Sequence, residues 1–317
     1  MTQRRALLAA GLAAPSLATA QAWPSRAVRV VVPFSPGGSN DVLARALCER
    51  LTALLGQPFV VENRAGAGGA IGADLVAKSA PDGHTLLFIS SSIATNAAVQ
   101  PLPYDPATDF TAIARVAVAP MIVVVGRNSP ARDMAGLLRL ARERPGQLRF
   151  GGAGPGDTSF FSAELLKMAA GIEMEAVAYR GINEAQLDVA AGRIDLVITT
   201  LAAARSLLDA GELRLLAIAA EARDPAMQAT PTVREATGVD YATGVWWGLF
   251  APARLPPALR AQLHAAAHQA IAEPGFQRVL TASGAASAPI PSENFQSLLT
   301  SELRRWAEVA RRAGVAR

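Results

Sequence analysis

The chain has 317 residues, 51% of them hydrophobic and 18% charged. That excludes a disordered or fibrous protein and leaves room for two ordinary domains with large cores. A net charge of +4 is too small for an electrostatic grip on nucleic acid, no basic cluster carries interleaved aromatics, and the single cysteine excludes an internal disulfide and a multi-cysteine metal site.

Residues 1–22 (MTQRRALLAAGLAAPSLATAQA) read as a secretory signal peptide. Arg4 and Arg5 form its positive start, and Ala6 to Ala14 is apolar but too short to cross a bilayer. Pro15 breaks any continuing helix, and Ala18-Thr19-Ala20 and Ala20-Gln21-Ala22 offer small residues at a cleavage site. The Arg4-Arg5 pair keeps the twin-arginine route open beside general export. No later stretch is long and apolar enough to span a membrane, and no cysteine near the cleavage site offers a lipid anchor. A soluble protein of the bacterial periplasm is the expectation.

In the mature chain, Ala27–Phe34 is a continuous apolar run, as a strand buried on both faces requires. Pro36-Gly37-Gly38 turns the chain, and Ser39 or Asn40 is expected to cap a helix running to Leu55, stopped by Gly56 and Pro58. Cys48 lies among Leu43, Leu47, Leu51 and Leu54 and reads as a small core residue. Phe59–Glu62 is a second strand, Asn63–Gly69 a loop, and a short helix reaches Ala77. His84–Ser90 is a third strand. The rhythm predicts right-handed crossovers and a parallel sheet. It repeats with strands at Met121–Val125, Leu148–Phe150, Glu175–Tyr179, Ile194–Thr199 and Arg214–Ala219. The intervening helices are Asp133–Arg144, Ser159–Ala170, Asn183–Ala191 and Ala202–Ala210. Helices Pro257–Ala272 and Glu293–Ala313 end the chain.

Two apolar segments, Phe110–Val125 and Gly244–Pro252, are interrupted by Pro or Gly and read as crossings between two lobes. Residues 23–118 and 248–317 would form the first lobe and 119–247 the second. The cleft at such a hinge is the expected site.

Several loops lie where ligands bind in open α/β sheets, beyond the carboxyl ends of strands. Pro33–Asp41 (PFSPGGSND) opens a helix whose first amides are free to meet an anion. Gly37 and Gly38 permit close approach, and Ser35, Ser39 and Asn40 add polar groups. Gly151–Ser159 (GGAGPGDTS) repeats the arrangement. It has neither a P-loop lysine nor dinucleotide spacing. Thr158 and Ser159 offer hydroxyls there, and Asp157 reads as a helix cap. Ser90–Asn96 (SSSIATN) adds hydroxyls at a third strand end, and Arg180 follows a fourth. For each loop the alternative of a plain turn, capping run or surface charge stays open. His264 and His268 stand one helical turn apart but lack a carboxylate between them, so a half-buried helix face is expected. No nucleophile elbow, base or metal cage is evident, so binding without catalysis or cofactor is expected.

These residues resemble the Bug family, the periplasmic receptors of tripartite tricarboxylate transporters. The resemblance runs from about Trp23 to the C-terminus. Its marks are PSRAVRVVVPFSPGGSND, VVENRAGAGGAIGADLVAKSAPDGHTLL, LPYDPATDF, VAYRG, AAGRIDL, PTVREATG and WWGLFAP in order, closed by the Trp306 helix. It implies a two-lobed α/β periplasmic-binding-protein (Venus-flytrap) fold, with two doubly wound sheets joined by a two-segment hinge. It implies a monomer that binds a small carboxylated solute, such as a di- or tricarboxylate, acidic amino acid or aromatic acid. Delivery to integral membrane transporter subunits follows from the same resemblance. A sensor feeding a signalling receptor, or an enzyme holding a phosphate on its glycine loops, remain the alternatives.

The implied ligand-binding residues are Phe34, Ser35, Pro36, Gly37, Gly38, Ser39, Ser91, Ser92, Asn96, Gly154, Gly156, Thr158, Ser159, Phe160, Arg180 and Thr199. The chain departs from the family pattern at Phe160, at Thr199-Thr200, at Arg180 and at Asn183-Glu184-Ala185. An added ring at Phe160 and fewer polar groups would favour an acid with an apolar or aromatic body over citrate.

Overall fold

The computed structural model describes residues 23–154, 156–224 and 227–312. The signal peptide expected over 1–22 lies outside the described residues. In chain order the elements are β1 (Val28–Val32), α1 (Ser39–Leu55), β2 (Phe59–Asn63), α2 (Ala70–Ala77), β3 (Thr85–Ser90), α3 (Ser92–Val99) and β4 (Phe110–Gly126). Then come α4 (Met134–Glu143), β5 (Arg149–Gly152), α5 (Thr158–Ala170), β6 (Glu175–Ala178), α6 (Ile182–Ala190), β7 (Leu196–Thr199), α7 (Leu201–Asp209), β8 (Leu213–Ala219) and α8 (Val233–Thr237). The last are β9 (Gly244–Pro252), α9 (Pro257–Ala272), α10 (Pro274–Ala282), β10 (Ala286–Ser287) and α11 (Ser292–Arg312).

The apolar run of β1 is buried on both faces and pairs in parallel with β2 and β3. β5 pairs in parallel with β6 and β7, so each end of the sheet is a parallel wing, as the alternating pattern predicts. The centre differs. β4 and β9 run antiparallel to their neighbours. The strands form one curled sheet in the order β2-β1-β3-β9-β4-β7-β5-β6, with β8 and β10 also paired to β4.

β4 holds this arrangement together. Its first part, to Pro120, pairs with β9, and from Met121 onward it pairs with β8 and then β7. It therefore passes from one wing to the other as a single strand. The return crossing runs through Thr243, whose amide donates to Ala219 O at 2.9 Å and whose carbonyl accepts from Met121 N at 3.1 Å. Along β4, Ile122 and Val124 join one apolar core while Val123 and Val125 join another, so helices cover both faces of the second wing.

Cys48 is buried in α1, and burial pushes its thiol up to about 12, consistent with a packing role. α11 begins against β4, where Gln296 Oε1 accepts from Ala112 N at 2.9 Å. It ends against the second wing, where the Trp306 ring meets Phe161 edge-on at 5.2 Å. α3 and α10 are helical although the sequence pattern gave neither. α10 starts at Pro274, a residue that fits the first helical position because no hydrogen bond is required of it there.

Candidate functional site

The loop after β1 turns at Gly37, whose φ of +82° favours glycine. Gly38 is the N-cap of α1, and no side chain caps the helix. Ser39 and Asn40, expected as caps, stand instead inside the first turn. Asp41 explains the shift. Its Oδ2 reaches back to accept from Gly37 N at 3.0 Å, and it also accepts from Arg45 Nε at 2.9 Å and Asn63 Nδ2 at 2.9 Å. Burial alone would raise this carboxyl, but the Arg45 guanidinium, the Gly37 amide and Asn63 outweigh it and hold it below the ordinary range. Asn63 Nδ2 further donates to Phe34 O at 3.0 Å. The loop is thus braced from behind, and Ser39 and Asn40 line a cleft. Asn40 is only 9% exposed, and its Oδ1 is buried without a hydrogen-bond partner.

Across the cleft, Asp157 caps α5, as its position implied. Its Oδ2 accepts from Ala153 N at 3.3 Å, Ser159 N at 3.1 Å and Phe160 N at 3.4 Å. Burial holds the Asp157 carboxyl above the ordinary carboxylate range, and these donors only partly offset the rise. Two more helices begin here. Gly181 caps α6 without a side-chain bond, and the Thr200 hydroxyl caps α7 by accepting from Ala203 N at 3.4 Å. Thr199 Oγ1 accepts from the buried Gln186 Nε2 at 3.1 Å.

Phe34, Ser35, Gly38, Ser39, Thr158, Ser159 and Thr199 all line this one cavity. The two glycine loops, far apart in sequence, therefore share a site. The other singled-out residues lie outside the lining. Pro36 O accepts from Asn183 Nδ2 at 2.6 Å. Ser91 Oγ is 3.2 Å from Thr158 Oγ1, and Ser92 Oγ accepts from Ser90 Oγ at 3.0 Å. The Asn96 side chain donates to Ala67 O at 3.2 Å, and Thr95 bonds the Gly156 carbonyl. Gly37, Gly154 and Gly156 give the two loops their left-handed turns. Arg180 is exposed, and its amide donates to Glu184 at 3.1 Å. Phe160 corrects the expectation of an added ring in the pocket, because its ring packs on Phe150 at 5.2 Å.

The apolar part of the lining comes instead from Phe34, Met121, Ile182 and Val245. Sequence reasoning missed Met121 and Val245. Their signal was present, since Met121 directly follows the Pro120 that interrupts one crossing segment and Val245 the Gly244 that opens the other. Among the described residues no lysine, arginine or histidine lines the cavity, and Asp157 is the one ionisable group there. Such a lining offers an anion backbone amides, hydroxyls and helix ends in place of a charged side chain. Among the described residues no group of three or more His, Cys, Asp and Glu could hold a metal ion. His264 sits against Ile113 O at 2.7 Å and its ring lies 4.0 Å from that of His268.

Residues 43–315 match the model of the tripartite tricarboxylate transporter family receptor, TctC. The chain belongs to this family. Among solved structures, the receptor is similar to Rpa4515 of R. palustris with adipate, at 37% identity and a TM-score of 0.89 over 93% of this chain and 99% of that one. It is similar to MatC of Rhodopseudomonas palustris with bound malate, at 32% identity and 0.86 over 90% and 99%. It is also similar to the periplasmic binding protein BugD, at 29% identity and 0.88 over 93% and 99%. The fold is thus the two-lobed periplasmic-binding-protein fold.

Proposed function

We propose that the receptor captures a small carboxylated organic solute in the interlobe cleft and delivers it to a tripartite tricarboxylate-type membrane transporter. The observation that carries this reading is the junction of α1 and α6. Both helices begin at the cleft without a side-chain cap, so their first amides are available to a carboxylate. They belong to opposite wings and touch there, through Asn183 and Pro36. A carboxylate held at this junction would draw the two lobes together. Adipate and malate in the related structures are carboxylates of the same class.

The lobe division we propose keeps the expected plan, 23–118 with 248–317 and 119–247, and shifts its two crossings to where the strand partners change, after Pro120 and before Gly244. Residues 1–22 serve as the export signal in this reading, and the mature receptor works in the periplasm as a monomer. Binding, rather than turnover, is the activity.

The test is mass spectrometry of acids released from natively purified protein, together with thermal shift across mono-, di-, tri- and aromatic carboxylates. One bound acid per chain is expected. Absence of any released acid and of any stabilisation across the panel would overturn the proposal.

A further inference from the structure

The two ends of the cleft are chemically unequal. At the α1 end the first-turn amides have no internal cap, while the buried Asn40 Oδ1, an unpartnered acceptor, calls for a donor on the solute and not for a carboxylate oxygen. At the α5 end the chain has already supplied an acid of its own. Asp157 is 7% exposed, lines the cavity, and takes three backbone amides on one carboxylate oxygen. Ser159 adds a side-chain hydrogen bond to the same group. A second solute carboxylate arriving here would find the Ser159 and Phe160 amides taken. It would also meet a second, buried carboxyl group, with no lysine, arginine or histidine among the described residues of the lining to offset two acids in one site. What remains at that end suits an uncharged donor: the Ser159 hydroxyl oxygen, which can still accept while its proton serves Asp157, and the Thr158 hydroxyl, which Ser91 shares.

We propose that Asp157 restricts the cleft to solutes with a single acid group, whose far end is a hydroxyl, amide or other uncharged function. The proposal rests on the carboxylate reading above and narrows it. Asp157 acts here by exclusion, occupying the place a second acid would need.

Titration calorimetry on the full mature chain tests it with matched pairs: adipate against its ω-hydroxy monoacid, and succinate against its ω-hydroxy monoacid. The monoacid is expected to bind at least about tenfold more tightly in any pair that binds. Asp157→Gly frees the α5 amides, and Asp157→Asn removes the charge while keeping an acceptor for them. Both should raise the ratio of diacid to monoacid affinity by about tenfold or more, the glycine variant further. Should the glycine variant not fold, the asparagine variant carries the test. A wild-type protein that binds the diacid as tightly as the monoacid, or variants that gain equally for both, would overturn this inference and leave the carboxylate reading standing. Binding of neither acid in either pair, with no stabilisation by any other carboxylate, would overturn both.

Discussion

Asp41 has no place in the cavity lining, yet the α1 loop depends on it. Its carboxylate fixes Gly37, Arg45 and Asn63 at once, and through Asn63 it sets Phe34. Because its pKa is lower in the fold than in the unfolded chain, it contributes stability above the unfolded value of about 3.9. That contribution is lost as pH falls through the folded value. Asp41→Asn should cost about 1–3 kcal/mol at neutral pH, read by urea unfolding. The acid side of its stability profile should flatten relative to wild type. A profile of unchanged slope would assign acid sensitivity to other carboxylates.

Four helices, α1, α5, α6 and α7, begin at the cavity lining, each bringing a partial positive charge of roughly half a unit at its first turn. α5 and α7 are capped by their own side chains, whereas α1 and α6 are not. Ser39→Asp would place an acid on α1 where the solute is proposed to sit. Calorimetry should show carboxylate affinity falling by more than about tenfold, while the melting temperature holds or rises, since an acid favours a helix N-terminus. A variant that keeps full affinity would move the acid-binding end away from α1. Much of this layout was legible before the structure. The β1 run, the stops at Gly56 and Pro58 and the glycine loops are local signals with local causes. α3 escaped because Ser92–Val99 holds small and hydroxylated residues that suit a loop equally well. The tasks of Asn183 and Phe160 escaped for another reason. Each is decided by a partner that chain order does not reveal: Pro36 in the opposite wing for one, the Phe150 ring for the other.

At the scale of the whole molecule, the wings meet in close contact at the cleft. A Cβ on Gly156 would lie 2.5 Å from the Asn96 backbone, at a φ of +90°. Gly154 has a similar φ of +99° but nothing within 4 Å of its Cβ position. Gly154→Ala and Gly156→Ala should therefore share a strain cost of about 1 kcal/mol, while only Gly156→Ala holds the wings apart. X-ray scattering should report a larger radius of gyration for Gly156→Ala alone, with solute affinity reduced by at least about tenfold as the closed population falls. Equal behaviour of the two variants would mean that this contact does not limit closure. The strand common to both wings has a further bearing, on how such receptors diversify. A break between Pro120 and Met121 would cut β4 where its partners change, leaving each fragment with ladders that end on a missing neighbour. Recombination between relatives can thus trade loops around the solute freely, but it cannot trade halves. The heritable unit is the strand framework entire, and new specificities arise in the loops and side chains it carries.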